Sequence, residues 1–269
     1  MIGFLSDRQV IKVYPELRNK VVVVTGSAGG IGKEIAKLFS REGAIVCLLD
    51  KVSTEKVAKE IELFGGKCKS YIVDIINEES VTDCFESIIR EIGGIDILVN
   101  NAGVLIASEL LQTSLELWNK MLSLNLTSVF LCSKASIPSM VQRGGGCIIN
   151  AASWAAKIPS IGHGGYGAAK AGVLNLTATL AGELARYGIR VVAYMPGVVR
   201  TPLSQGIVDK NPLAVANTIA LGRIAEPIEI AKVVVFLASD TAAYIDGTTI
   251  EISGGKLCVQ NPIPLGKEV

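Results

Sequence analysis

A serine, a tyrosine and a lysine stand at positions 153, 166 and 170, separated by 13 and then 4 residues. On a helix, Tyr166 and Lys170 would share one face, a turn apart. A phenol titrates near 10, too high to exchange its proton close to neutrality, and an adjacent cation is the direct way to lower that value. Proton-transfer catalysis needs a group that exchanges near working pH. The pair therefore predicts a tyrosine acid–base with Lys170 as its electrostatic partner. Ser153 adds a neutral hydroxyl donor for an oxygen on which negative charge develops. Taken alone, a tyrosine four residues before a lysine is a weak pattern, and most such pairs are exposed helix neighbours.

Such groups need a frame to hold them. Strand-like runs are predicted near 20–25, 45–50, 68–73, 95–99, 146–151, 189–195 and 248–252. Helix-like runs lie between them, with long ones near 116–142 and 165–187. This alternation argues for an α/β fold, a doubly wound parallel sheet of about seven strands flanked by helices on both faces. Gly144-Gly145-Gly146 reads as the turn into the fifth strand, and no internal repeat or low-complexity linker interrupts the chain. One domain spans 1–269, with residues 1–18 as an N-terminal appendage and 257–269 as a C-terminal tail.

At the first strand the frame carries a second chemical signal. Lys20–Thr25 reads KVVVVT, a buried parallel strand by its β-branched run. Gly26-Ser27-Ala28-Gly29-Gly30-Ile31-Gly32 follows, then a helical pattern from Lys33. A glycine turn between a strand and a helix N-terminus lets backbone N–H groups approach a phosphate. Gly26 makes the turn, Gly30 allows the approach to a pyrophosphate, and Gly32 packs helix on strand. The second strand ends in Asp50, 18 residues beyond Gly32. A carboxylate there accepts from the ribose hydroxyls of NAD and repels the 2′-phosphate of NADP, an effect that the neighbouring Lys51 would soften. The cofactor expected is NAD rather than NADP.

These motifs resemble the short-chain dehydrogenase/reductase family in its compact single-domain form, from about Lys20 to Gly255. Thr25-Gly26 through Gly30-Ile31-Gly32 matches the family's cofactor turn, and Asn100-Asn101-Ala102-Gly103 its second signature. Asn125, Ser153, Tyr166 and Lys170 match the catalytic tetrad in order and spacing. Pro196-Gly197-Val198-Val199-Arg200-Thr201 matches the segment that receives the nicotinamide carboxamide. The resemblance implies a Rossmann-type fold and a hydride transfer managed by the tyrosine. It also implies that Lys170 holds the nicotinamide ribose and that Asn125 holds a water in a proton relay. Ser27 and Ile31 fall within the cofactor turn. Asp74 would take the adenine amino group with Ile75 beside the ring, or else serve as a helix cap. Asn101, Ala102 and Gly103 would line the adenosine ribose, and Pro196, Gly197, Val199 and Thr201 the carboxamide end. Members of the family usually form tetramers, so a homotetramer is expected.

Composition narrows the alternatives. Twenty-six Lys and Arg face 25 Asp and Glu, a net charge of +1 that gives no support for nucleic-acid binding. No apolar run is long enough to span a bilayer, and the first residues lack the pattern of a secretion signal. Six cysteines without a C-x-x-C pair, beside a single histidine, predict no metal site and mostly reduced core thiols. A cytoplasmic location follows.

The substrate is expected to be a small-molecule secondary alcohol or ketone. Val104, Leu105, Ala155, Ala156, Ile158 and Ile161 suggest an apolar pocket, and the short segment 202–225 predicts no large lid. His163 would donate to a substrate oxygen or face solvent from a loop. Two other functions remain in view. One is an NADPH-dependent 3-oxoacyl thioester reductase, with Arg143 and Arg186 facing an acidic carrier. The other is a non-catalytic dinucleotide sensor or scaffold, a kind that tends to lose the tyrosine or the lysine.

Overall fold

The computed structural model describes residues 13–259, so the first twelve residues of the N-terminal appendage and all but the start of the C-terminal tail lie outside it. Seven strands form one sheet: β1 (Val21–Thr25), β2 (Ile45–Asp50), β3 (Lys67–Ile72), β4 (Ile97–Asn100), β5 (Gly146–Ala151), β6 (Ile189–Pro196) and β7 (Thr249–Ile252). Their order is β3-β2-β1-β4-β5-β6-β7, and every pairing is parallel. The chain builds outward from β1 to β3, then returns to β4 on the other side of β1. That reversal opens a crevice at the carboxyl ends of β1 and β4, where open α/β sheets bind ligands.

The period-2 alternation of a strand decides which residues meet which helices. Val22 and Val24 face α1 (Gly30–Arg41), α2 (Glu55–Glu62) and α9 (Pro227–Ala238), with Ile35, Phe39, Ile61 and Val234 in the same cluster. Val21 and Val23 face the opposite layer, built on α3 (Glu78–Ile92), α5 (Ser128–Gln142) and α6 (Gly164–Leu184). Leu17 is buried in the first cluster, so the residues just before β1 belong to the body of the fold. The edge strand β3 carries exposed Lys67 and Lys69, charges that discourage pairing with another chain.

The predicted helix over 116–142 is divided. α4 (Leu115–Leu122), capped by Ser114, runs into a π turn at Ser123–Thr127 before α5 begins. The Asn125 Nδ2 donates to Met121 O at 3.0 Å, and the Ser128 N–H reaches back five residues to Ser123 O. A side chain competing for a backbone carbonyl is a known cause of such widening. Two short helices, α7 (Pro202–Val208) and α8 (Pro212–Asn217), occupy the segment expected only to be a small cover. Each opens on a proline at its first position, where the missing N–H costs nothing.

Candidate active site

A cleft of about 840 Å³ opens at the carboxyl ends of β1, β4, β5 and β6. One end is built on the glycine turn. Gly26 has φ +67°, and a Cβ there would lie 2.8 Å from Ala102 Cα. A Cβ on Gly32 would lie 2.2 Å from Gly26 O, so only glycine allows α1 to start so close to the strand. α1 has no side-chain cap and no acidic residue in its first turn. Its N–H groups and positive dipole end are therefore left for an anion. Asp50 closes this end: its carboxylate accepts from Ala28 N at 3.0 Å and Val52 N at 3.2 Å. Two of its roughly four acceptor positions remain, the number a ribose diol requires.

Around this turn the family of contacts is tight. Asn101 donates through Nδ2 to Thr25 O and Gly26 O, at 3.0 and 3.2 Å, and its own Oδ1 accepts from the Tyr194 hydroxyl at 2.9 Å. Asp74 does not cap a helix; Asn77 caps α3 by accepting from Ser80 N. Asp74 instead pairs with Lys51 at 2.6 Å on the exposed rim of the cleft.

The chemical end lies just past β5 and on the first two turns of α6. Tyr166 and Lys170 are both buried and both line the cleft. The Lys170 Nζ donates to Ala151 O at 2.8 Å and lies 5.9 Å from the centroid of the Tyr166 ring. Burial pulls the ammonium down from its ordinary value to about 8. The phenol is pushed above its ordinary value by burial, with the Ser153 hydroxyl pulling weakly the other way. The lowering expected of Lys170, whose ammonium stands 5.9 Å from the ring centroid, does not offset this burial. Ser153 Oγ accepts from Ala155 N at 3.2 Å, capping the short 3₁₀ turn at Trp154–Ala156.

Asn125 spends its amide within the protein. Its Oδ1 accepts from Val104 N at 3.1 Å and its Nδ2 donates to Val104 O at 3.0 Å. A Cβ on Gly103 would lie 2.7 Å from Asn125 Oδ1 and 3.4 Å from Lys170 Nζ, so the asparagine and the ammonium flank one narrow gap.

Of the other cofactor positions, Gly30, Ile31, Asp50, Asp74, Ile75, Asn101, Ala102, Gly103, Pro196 and Thr201 line the cleft. Ser27, Gly32, Gly197 and Val199 do not. The Ser27 hydroxyl is buried and donates to Leu49 O at 3.2 Å, so its side chain is turned away from any ligand. Gly197 is held by close approach to Ser253, and Val199 is bridged to Ala225. Of the suggested apolar pocket, Val104 lines the cleft, while Leu105, Ala155, Ala156, Ile158 and Ile161 lie outside its wall. His163 is the N-cap residue of α6, half-buried, with Nδ1 lacking a partner among the described residues. A loop histidine facing solvent does not describe it.

Sequence reasoning missed two sets of lining residues. Tyr194 lies in the apolar run of β6, where no spacing rule marks it. Glu116, Asn119 and Lys120 on α4 and Ser123 at the start of the π turn form a polar stripe at helical spacing, a signal present in the sequence but not weighed. Among the described residues no group of His, Cys, Asp or Glu is arranged to hold a metal. No helix among them is long and apolar enough to cross a membrane.

Comparison with known proteins decides the family. A model described as enoyl-(acyl carrier protein) reductase matches residues 26–256. A 3-oxoacyl-(acyl-carrier-protein) reductase of Thermotoga maritima is 36% identical over 241 residues, covering 89% of this chain and 98% of that protein. The chain belongs to the short-chain dehydrogenase/reductase family. A meso-2,3-butanediol dehydrogenase of Serratia marcescens is 37% identical over 239 residues, covering 88% and 94%. The crystal structure of a short-chain type dehydrogenase/reductase from Mycobacterium marinum superimposes with a TM-score of 0.87 at 35% identity, covering 90% of this chain and 97% of that one. So does a Beutenbergia cavernae protein assigned as an NAD(P)-dependent gluconate 5-dehydrogenase with NADP bound at low occupancy, at 0.87 and 32%, covering 90% and 98%. As a short-chain dehydrogenase/reductase, the chain is an oxidoreductase acting between CH–OH and C=O groups. The uncapped α1 terminus, the glycine cradle and Asp50 fit the nicotinamide dinucleotide that the family uses.

Proposed function

We propose that the protein interconverts a small secondary alcohol and its ketone with NAD(H), using Tyr166 as acid–base. The observation that carries this reading is the convergence of buried Tyr166 and Lys170 on the cleft that also holds the glycine turn and Asp50. When bound, the nicotinamide supplies or accepts the hydride. In the reductive direction Tyr166 gives its proton to the substrate oxygen, and in oxidation the phenolate takes it back. Ser153 donates its hydroxyl to the same oxygen, a neutral partner for charge that grows in the transition state. Lys170 holds a ribose hydroxyl and passes protons outward past the gap that it shares with Asn125. Ser153, Tyr166, Lys170 and Asn125 are proposed as the catalytic set.

The preference for NAD rests on Asp50, whose carboxylate would repel a 2′-phosphate, and on Lys51, which pairs with Asp74. The thioester-reductase reading draws on the Thermotoga maritima relative. Against it, Arg143 is bound to Asp96 at 2.9 and 3.0 Å and to Gly93 O, which takes one of the two arginines from any carrier. The sensor reading lacks its usual mark, since the tyrosine and the lysine are both present. A homotetramer in the cytoplasm remains part of the proposal.

The test is the absorbance of reduced nicotinamide on purified protein, with NAD and NADP offered separately against secondary alcohols, polyols, hydroxysteroids and hydroxyacyl thioesters. Turnover of an alcohol with NAD supports the reading. Exclusive turnover of thioesters with NADP replaces it, and silence with NADH still bound favours the sensor.

A further inference from the structure

Lys256 stands where β7 gives way to the C-terminal segment. Its ammonium lies 4.8 Å from the centroid of the Trp154 ring and donates to Thr218 Oγ1 at 2.8 Å. None of the three lies in the cleft wall itself, but both neighbours adjoin segments that serve the site. Trp154 follows Ser153 directly and opens the turn that Ser153 caps. Thr218 ends α8, in the covering segment whose α7 supplies Pro202 and Leu203 to the cleft wall. Leu257 packs on Ala152 and Met195, pinning the segment to the ends of β5 and β6. The ammonium therefore occupies the junction between the covering segment and the Ser153 turn.

Its charge is only partly answered. An ammonium has three donors, and one goes to Thr218. The indole face offsets part of the charge. No carboxylate among the described residues pairs with Lys256, whereas Lys51 at the cleft rim has Asp74. A half-buried cation without a counter-charge is unfavourable, and a ligand anion would relieve it. Burial alone already holds this lysine below its ordinary pKa, with no charged neighbour contributing.

We propose that Lys256, framed by Trp154 and Thr218, is a subsite for a carboxylate on the substrate, so that the alcohol and ketone pair is a hydroxy acid and a keto acid. This rests on the alcohol/ketone reading above and adds its substrate class. The indole fixes the ammonium in place, and the carboxylate takes its remaining donors while the carbinol lies toward Ser153 and Tyr166. Charge-assisted hydrogen bonds of this kind are about twice as strong as neutral ones.

The experiment offers secondary hydroxy acids of increasing chain length, each beside its neutral amide, to the wild-type enzyme and to Lys256→Met and Lys256→Arg. The readouts are the acid-to-amide ratio of kcat/KM and, by calorimetry, binding of each keto acid to the enzyme–NADH complex. The expected ratio in the wild type is about tenfold or more. Lys256→Met brings it near one through KM of the acids, and Lys256→Arg restores most of it. A wild-type ratio near one, with amides turned over, overturns the subsite and leaves the oxidoreductase reading standing. A ratio that survives Lys256→Met also overturns it. Keto-acid binding that depends on Lys256, without turnover of any pair, supports the subsite and removes the reaction proposed. Neither binding nor turnover of acids overturns the subsite outright.

Discussion

Tyr166 and Lys170 are each shifted against their function: the phenol lies above its ordinary pKa and the ammonium lies below its own. Both shifts have one cause, burial, and both are relieved by a ligand that brings charge and hydrogen bonds into the cleft. Tyr166→Phe keeps the ring and loses the proton. Turnover should fall by roughly 10²–10⁴ while NADH binding, read by fluorescence, changes little. For Lys170 the sign of the stability effect can be worked out. Its folded value near 8 is below the unfolded 10.5, so between these values the unfolded chain binds more protons and stability rises with pH. The cost of the buried ammonium is complete below about 8 and gone above about 10.5. It is at most ~3 kcal/mol at pH 7. Losing the bond to Ala151 O returns roughly 1–2 kcal/mol. Lys170→Met should therefore abolish turnover yet raise the melting temperature by a few degrees at pH 7, with the gain fading toward pH 10. Asp50→Ala should narrow the NAD-over-NADP ratio of kcat/KM by about tenfold or more, since a carboxylate facing a phosphate is a difference of several kcal/mol before screening. An unchanged ratio would assign the ribose to another residue.

At the scale of elements, legibility followed local chemistry. β1 was readable because four consecutive valines have one good use, a strand buried on both faces. The start of α1 was readable because its glycines answer a steric demand, and Gly32→Ala tests that demand directly. Its Cβ would meet Gly26 O at 2.2 Å, so the strand and helix must part. A loss of about 2–4 kcal/mol in urea denaturation and a larger loss of NADH affinity are expected. The π turn was not readable. The sequence LELWNKMLSLNLTSVF runs without a breaker, and the widening depends on Asn125 reaching Val104, a residue 21 positions away. α7 and α8 were missed for a related reason: at seven and six residues they are too short to show a period. Tyr194 was invisible because a buried tyrosine in an apolar strand looks like core until its hydroxyl is seen to meet Asn101.

For the molecule as a whole, the reversal of strand order between β1 and β4 sets the division of labour. Residues that would hold the adenosine end come from the chain up to Gly103, and the acid–base groups come after it. With no metal cluster among the described residues, chelators should leave turnover unchanged, and inhibition by EDTA reversed by a divalent ion would mean a site missed. The covering segment and the C-terminal segment meet beside β7, at the edge of the sheet remote from Asp50, through Thr218 and Lys256 and through Leu221 and Gly254. Inheritance can therefore act on the two halves separately. Mutations in 154–162, 205–225 and 253–259, clear of Thr201, Pro202 and Leu203 in the cleft wall, can accumulate and change what is oxidised while leaving the cofactor end in place. A lineage built on this plan can diversify its substrates around one unchanging way of holding the cofactor.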